Sequence, residues 1–190
     1  MSLPHWQYFL SIEEDLLRCS RYVEFEKSNF STYSVEFARI IVAASAEFDS
    51  VAKILCKAIN PGANPQSINA YHPIITSKYP RFLEYTILVP SMKLEFQPWK
   101  EWTDSAGPGW WSKGYNKIKH ERDKHFAAAN LENALNSVAG LLTGIAYLYD
   151  ATYGEIPKLN LASAPKLLEP HDNPDAPNQS AVWWSCEVWK

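Results

Sequence analysis

The placement of the thirteen prolines constrains this 190-residue chain more than any other feature. One is Pro4, seven fall between Pro61 and Pro108, and five between Pro157 and Pro177, which leaves the windows 5–60 and 109–156 free of proline. Proline inside a helix removes a hydrogen bond and clashes with the preceding turn, so these two windows are where long helices can form. In the first, Trp6, Phe9, Leu10, Leu16 and Leu17 recur at helical spacing, predicting a helix near 6–27. The polar break around Ser28 to Thr32 then precedes a second helix near 33–59, whose Phe37, Ile41, Ala44, Phe48, Ala52, Leu55 and Ile59 share a narrow arc.

The second window divides near Asn130 into helices expected at 109–129 and 131–153. Leu131, Leu135, Val138, Leu142, Ile145 and Tyr149 step by four and three, the spacing of a helix–helix seam. Gly140 and Gly144 add a small-residue stripe, which reads as close packing. Between the windows, Ser67 to Tyr79 reads as a short helix interrupted by Pro73. Leu83 to Val89 and Lys93 to Gln97 are β-rich runs joined at Pro90, predicting a hairpin near 83–97 that must pack on the helices to be stable. The expected fold is therefore mainly α, an up-and-down helical bundle over 1–154 with a small β-hairpin insertion. Residues 155–190 are expected to form a proline-rich extended tail, with Trp183, Trp184 and Trp189 as anchors. Eight Trp, eight Phe and ten Tyr supply a large packing payload for a chain of this size.

Charge and cysteine usage narrow the functional classes. A net charge of −3 argues against a whole-protein electrostatic grip on nucleic acid or anionic lipid and leaves room for a local basic patch; neither DNA nor a membrane is an expected partner. Cys19, Cys56 and Cys186 form no close pair, so neither a disulfide framework nor a thiolate zinc site is indicated, and the expected compartment is the reducing cytoplasm. No apolar run approaches membrane-spanning length. Nucleotide-binding glycine loops, GxSxG, HExxH and paired Glu-x-x-His spacings are missing from the sequence, so no metal or cofactor is expected.

The densest functional candidate is the segment Trp110 to Phe126. Lys113, Lys117, Lys119, Arg122 and Lys124 stand against Glu121 and Asp123, a local +3. On an uninterrupted helix, Trp111, Tyr115, Ile118, Arg122, Phe126 and Ala129 fall on one stripe, which predicts a buried Arg122 whose partner is Glu47 of the 33–59 helix. Asn116, His120 and Asp123 project from the other side, where neighbours one turn apart can share a ligand. Lys113, Lys117 and Lys124 are read either as a solvated face or as phosphate contacts.

The pattern Trp110-Trp-x-x-x-Tyr-Asn-x-x-Lys-His-x-Arg, followed by Phe126-x-x-Ala-Asn-Leu-x-Asn-Ala-Leu, resembles the HEPN superfamily of small helical proteins, as do Tyr33-Ser-Val-Glu-Phe-Ala and Ala46-Glu47-Phe-Asp-x-Val-Ala-Lys53 upstream. The likeness covers roughly 5–153. It implies a dimeric four- or five-helix bundle. It also implies either a metal-independent ribonuclease or an RNA-binding effector in a toxin–antitoxin or phage-defence setting. In the first case His120 would act as general base or acid on a 2′-hydroxyl while Arg122, Lys119 and Asn116 hold the phosphate. Trp111, Tyr115 and Glu47 would support that helix from the core. The family's Arg-x4-6-His signature is not matched, because His120 precedes Arg122 and His125 follows it after only two residues. The alternative is a noncatalytic dimeric helical module that binds a protein partner, an antitoxin or another, through the same helix.

Overall fold

The computed structural model describes residues 4–153 and 164–171. Five helices dominate: α1 (Pro4–Cys19), α2 (Val35–Ile59), α3 (Ile68–Lys78), α4 (Asn116–His125) and α5 (Leu131–Tyr153). Three short antiparallel strands, β1 (Ile87–Val89), β2 (Leu94–Phe96) and β3 (Glu169–Pro170), form a sheet in the order β2-β1-β3. Among the described residues no helix is long and apolar enough to cross a membrane.

The two helices with the strongest apolar period, α2 and α5, build the centre. Their starts are laced together: Ser34 caps α2 by accepting from the Phe37 N–H, and Asn130 caps α5 by accepting from the Asn133 N–H. Leu131 and Glu132 donate to the carbonyls of Thr32 and Phe30, and Ser34 donates to Ala129, so the first amides of α5 are satisfied by the strand-like approach to α2. The two helices consequently run side by side in the same direction. Gly144 meets Phe48 and Val51 where they cross, which bears out the reading of the glycine stripe as packing. Helix α1 runs antiparallel to α2, as the pairs His5–Glu47 and Asp15–Arg39 require.

Trp99, Trp102, Trp110 and Trp111 close around Phe48 and Phe82, turning the aromatic excess of the sequence into one cluster on the α2–α5 pair. The Trp99 indole donates to the Gly140 carbonyl at 3.1 Å and the Trp110 indole to that of Pro98 at 2.6 Å. Both buried N–H groups are thereby paired.

Several expected boundaries move. Helix α1 stops at Cys19 rather than near 27, because Ser20 folds its hydroxyl onto the Leu17 carbonyl and the chain turns away. Residues 80–84 form a tight helical turn, so the hairpin is confined to 87–89 and 94–96. Pro90–Met92 and a left-handed Lys93 (φ 54°) connect the strands. Helix α3 continues through Pro73. The largest departure is in the expected tail: Leu167 and Leu168 are buried, and Glu169–Pro170 pairs with Leu88 and Ile87 as a third strand. Trp183, Trp184 and Trp189 lie outside the described residues.

Holding that segment is a carboxylate the sequence reading passed over. Glu13, on the apolar face of α1 and only 2 % exposed, accepts the backbone N–H groups of Lys166, Leu167 and Leu168 at 2.9, 3.0 and 2.9 Å. Burial pushes this carboxyl above its ordinary 4.5, outweighing the three N–H donors and the Lys166 ammonium that pull it down. The folded chain therefore keeps a proton that the unfolded chain gives up near pH 4.5. The resulting stability is fully present below that pH and is lost as pH rises through the folded value. Urea unfolding of wild type and Glu13→Gln across this range is expected to show the wild type losing ground to the variant as pH rises. Parallel pH profiles would contradict the assignment.

Candidate functional site

The basic segment is built on an irregular stretch of helix. Trp110–Tyr115 forms a widened, π-type turn that runs directly into α4. Gly114 permits it: a Cβ there would lie 3.0 Å from the Asn133 amide nitrogen, which is fixed by donation to the Ala128 carbonyl at 2.8 Å. Upstream, the Ser112 hydroxyl bonds the Gly107 carbonyl. The extra residue in the turn buries Trp110, Trp111, Gly114, Tyr115 and Ile118 together. Trp111 packs edge-on to Phe48 and Tyr115.

Downstream of Ile118 the apolar stripe ends. Glu121 leaves helical geometry (φ −142°, ψ 42°), so the chain is reoriented before Arg122, and the expected single helix over 109–129 becomes a π-type turn, α4 and a short turn at Phe126–Ala128. Arg122 is exposed rather than buried. Its expected partner, Glu47, instead bonds His5 Nδ1 at 2.6 Å. Both halves of the buried-pair expectation are therefore overturned, by a break in the helix and by a closer partner on α1.

What results is an open polar surface. Lys113, Lys117, Lys119, His120, Arg122 and Lys124 are all exposed, and Asn116 is half-buried. Glu121 gathers Lys117 Nζ (3.4 Å) and His125 Nε2 (3.1 Å), and the Lys117 charge holds its carboxyl below the usual range. The Lys119 ammonium sits 5.4 Å from the centre of the Tyr115 ring. His120 and Arg122 flank the Glu121 break, and neither makes a side-chain hydrogen bond or ion pair among the described residues. Asn116, one turn before His120 on α4, shares no hydrogen bond with it or with Arg122 among the described residues. The segment turns its cations toward solvent, and among the described residues no side-chain hydrogen bond links His120 to a second acid or base.

A cleft of about 700 Å³ adjoins this surface through Lys113. Trp110 forms one wall, and Lys27, Lys100, Glu95, Glu101 and Glu132 ring it together with Gln97, Asn130, Asn133 and Asn136. Asn116, Lys119, His120 and Arg122 lie outside it. The carboxamides at 130, 133 and 136 are spaced to share one side of the first turns of α5, a signal present in the sequence that the charge-based reading did not use.

Among the described residues, no group of three or more His, Cys, Asp or Glu side chains is placed to hold a metal ion. Cys19 and Cys56 are buried free thiols, pushed by burial up to about 11 and about 12, so neither presents a thiolate nucleophile. Cys186 lies outside the described residues. No family model, no curated protein and no solved structure matches this chain.

Proposed function

We propose that the chain is an HEPN-like, cytoplasmic RNA-binding module that grips phosphates through the exposed face from Lys113 to Lys124 and does not cleave them. The observation that carries this reading is the exposure of all five cations of that segment, Arg122 included, in a chain whose net charge is −3. Phosphate responds to the field within a Debye length, about 8 Å at physiological salt, so the local excess outweighs the distant acids. Tyr115 and Trp111 anchor the segment to the core, which presents Lys113, Lys117 and Lys119 from a fixed base. Binding is favoured over cleavage because His120 stands on an open surface, outside the cleft beside Lys113, with no hydrogen bond orienting its imidazole among the described residues. An isologous homodimer through this face, as the family resemblance implies, would join two such patches into one longer basic strip.

The test is direct. Arg122→Glu with Lys124→Glu reverses two exposed charges and removes no core contact. Affinity for a single-stranded RNA at low salt is expected to fall at least roughly tenfold, with the melting temperature unchanged. RNA recovered from the wild-type complex in chelator is expected to be intact. If the double variant binds RNA as wild type does, the nucleic-acid reading falls and the protein-partner module takes its place.

A further inference from the structure

Residues 164–171 are held in the way a bound peptide is held. Three consecutive backbone N–H groups, of Lys166, Leu167 and Leu168, converge on the Glu13 carboxylate. The next residues add a strand to the outer edge of β1, with Leu88 opposite Glu169 and Ile87 opposite Pro170, and the His171 N–H donates to the Thr86 carbonyl at 3.0 Å. Leu167 and Leu168 supply the buried side chains. Main-chain pairing to a free sheet edge, side-chain pockets and a fixed acceptor for successive amides are the components of recognition by strand addition.

Two observations make the segment separable from the body. Ten residues, 154–163, lie between it and the end of α5, a length of chain that reaches up to about 35 Å when extended. A cleft of about 290 Å³ between α1 and the segment, lined by Gln7, Leu10, Ser11 and Lys166, leaves one flank incompletely packed.

We propose that the groove between α1 and the β1 edge is a peptide-docking site, filled within one chain by its own residues 164–171 and open, when they let go, to the same residues of a second copy. Exchange remakes identical contacts, so no new complementarity is needed and concentration decides the balance. Glu13 is the specificity element. Its buried carboxyl oxygens, charged or neutral, are left unsatisfied without N–H donors, so the groove favours an occupied state.

Three measurements on the full-length chain test this. In native-state hydrogen exchange of the wild type, the amides of 166–168 are expected to exchange through a partial opening while α2 and α5 stay protected. Exchange only through global unfolding would overturn the proposal. The chain carrying Leu167→Ala and Leu168→Ala, whose own segment is weakened, is expected to bind a labelled synthetic peptide of residues 164–171 roughly tenfold more tightly than wild type. Adding Glu13→Gln is expected to remove roughly tenfold of that affinity. Mixing the leucine variant with a Glu13→Gln chain, which offers an intact segment and a damaged groove, is expected to give a melting transition above both parents that rises with concentration. A mixture that melts as its separate components, with no peptide bound, overturns the proposal. Peptide binding without mixed-chain stabilisation assigns the groove to a foreign extended peptide and overturns the second-copy assignment.

Discussion

Replacing Trp99 with alanine is expected to lower unfolding stability by about 3–5 kcal/mol, the range for deleting a large buried aromatic. Trp99 is fully buried, with ring centres of Phe48, Trp102 and Trp110 at 4.1, 4.8 and 5.0 Å. Its removal opens a cavity among rings that are pinned from other sides and so cannot close it. It also strips the Gly140 carbonyl of its indole donor, inside a helix where water has no access. Urea titration followed by circular dichroism measures the loss, and Trp99→Phe, which refills part of the volume, is expected to recover some of it. A midpoint for Trp99→Ala within error of wild type would show that the aromatic cluster is not what joins the hairpin region to the helices.

Gly144→Ala is expected to cost about 1–3 kcal/mol although it adds one methyl to a residue type that favours helix. A Cβ at this position would lie 2.8 and 2.9 Å from two carbons of the Phe48 ring, below any normal contact. Phe48 cannot yield, because Trp99 stacks on one face and Trp111 meets it edge-on. The helices themselves must separate, and among the described residues α2 and α5 meet more extensively than any other two elements. The same substitution at an exposed helix site would stabilise by nearly the propensity difference. The sign of the effect therefore reads the closeness of the crossing, and a Gly144→Ala chain that melts at or above wild type would contradict it.

The sequence disclosed those elements whose identity depends on period alone. Helices α2 and α5 carry long, strict apolar seams, and Gly140 and Gly144 sit where the seam needs small residues, so they fell close to their expected limits. The functional segment was less legible, for a specific reason. A stripe calculation assumes an uninterrupted helix, and the wide turn at Trp110–Tyr115 followed by the break at Glu121 shifts the phase twice. Composition does not mark either event; Gly114 is the single residue that hints at the first. Arg122 was placed on the buried stripe by that assumption, and Glu47 was assigned to it because pairing across helices cannot be derived from spacing. His5, near the start of the chain, holds Glu47 instead. Glu13 was overlooked although its spacing is informative: Trp6, Phe9, Glu13 and Leu16 step by three, four and three, which places a carboxylate on the apolar face of α1. A charge in that position demands a partner, and the partner proved to be backbone from more than 150 residues away, beyond the reach of any local pattern.

The salt dependence of RNA binding tests the central claim most directly. If Lys113, Lys117, Lys119, Arg122 and Lys124 contact phosphates as a group, the logarithm of the association constant for a single-stranded RNA should fall linearly with the logarithm of salt concentration. Four or five contacts at roughly 0.7 per phosphate give a slope of about −3. Arg122→Glu with Lys124→Glu should make that slope shallower by at least about 1 as well as weakening the affinity. A slope near zero, or no binding at low salt by the folded wild-type chain, would contradict the account.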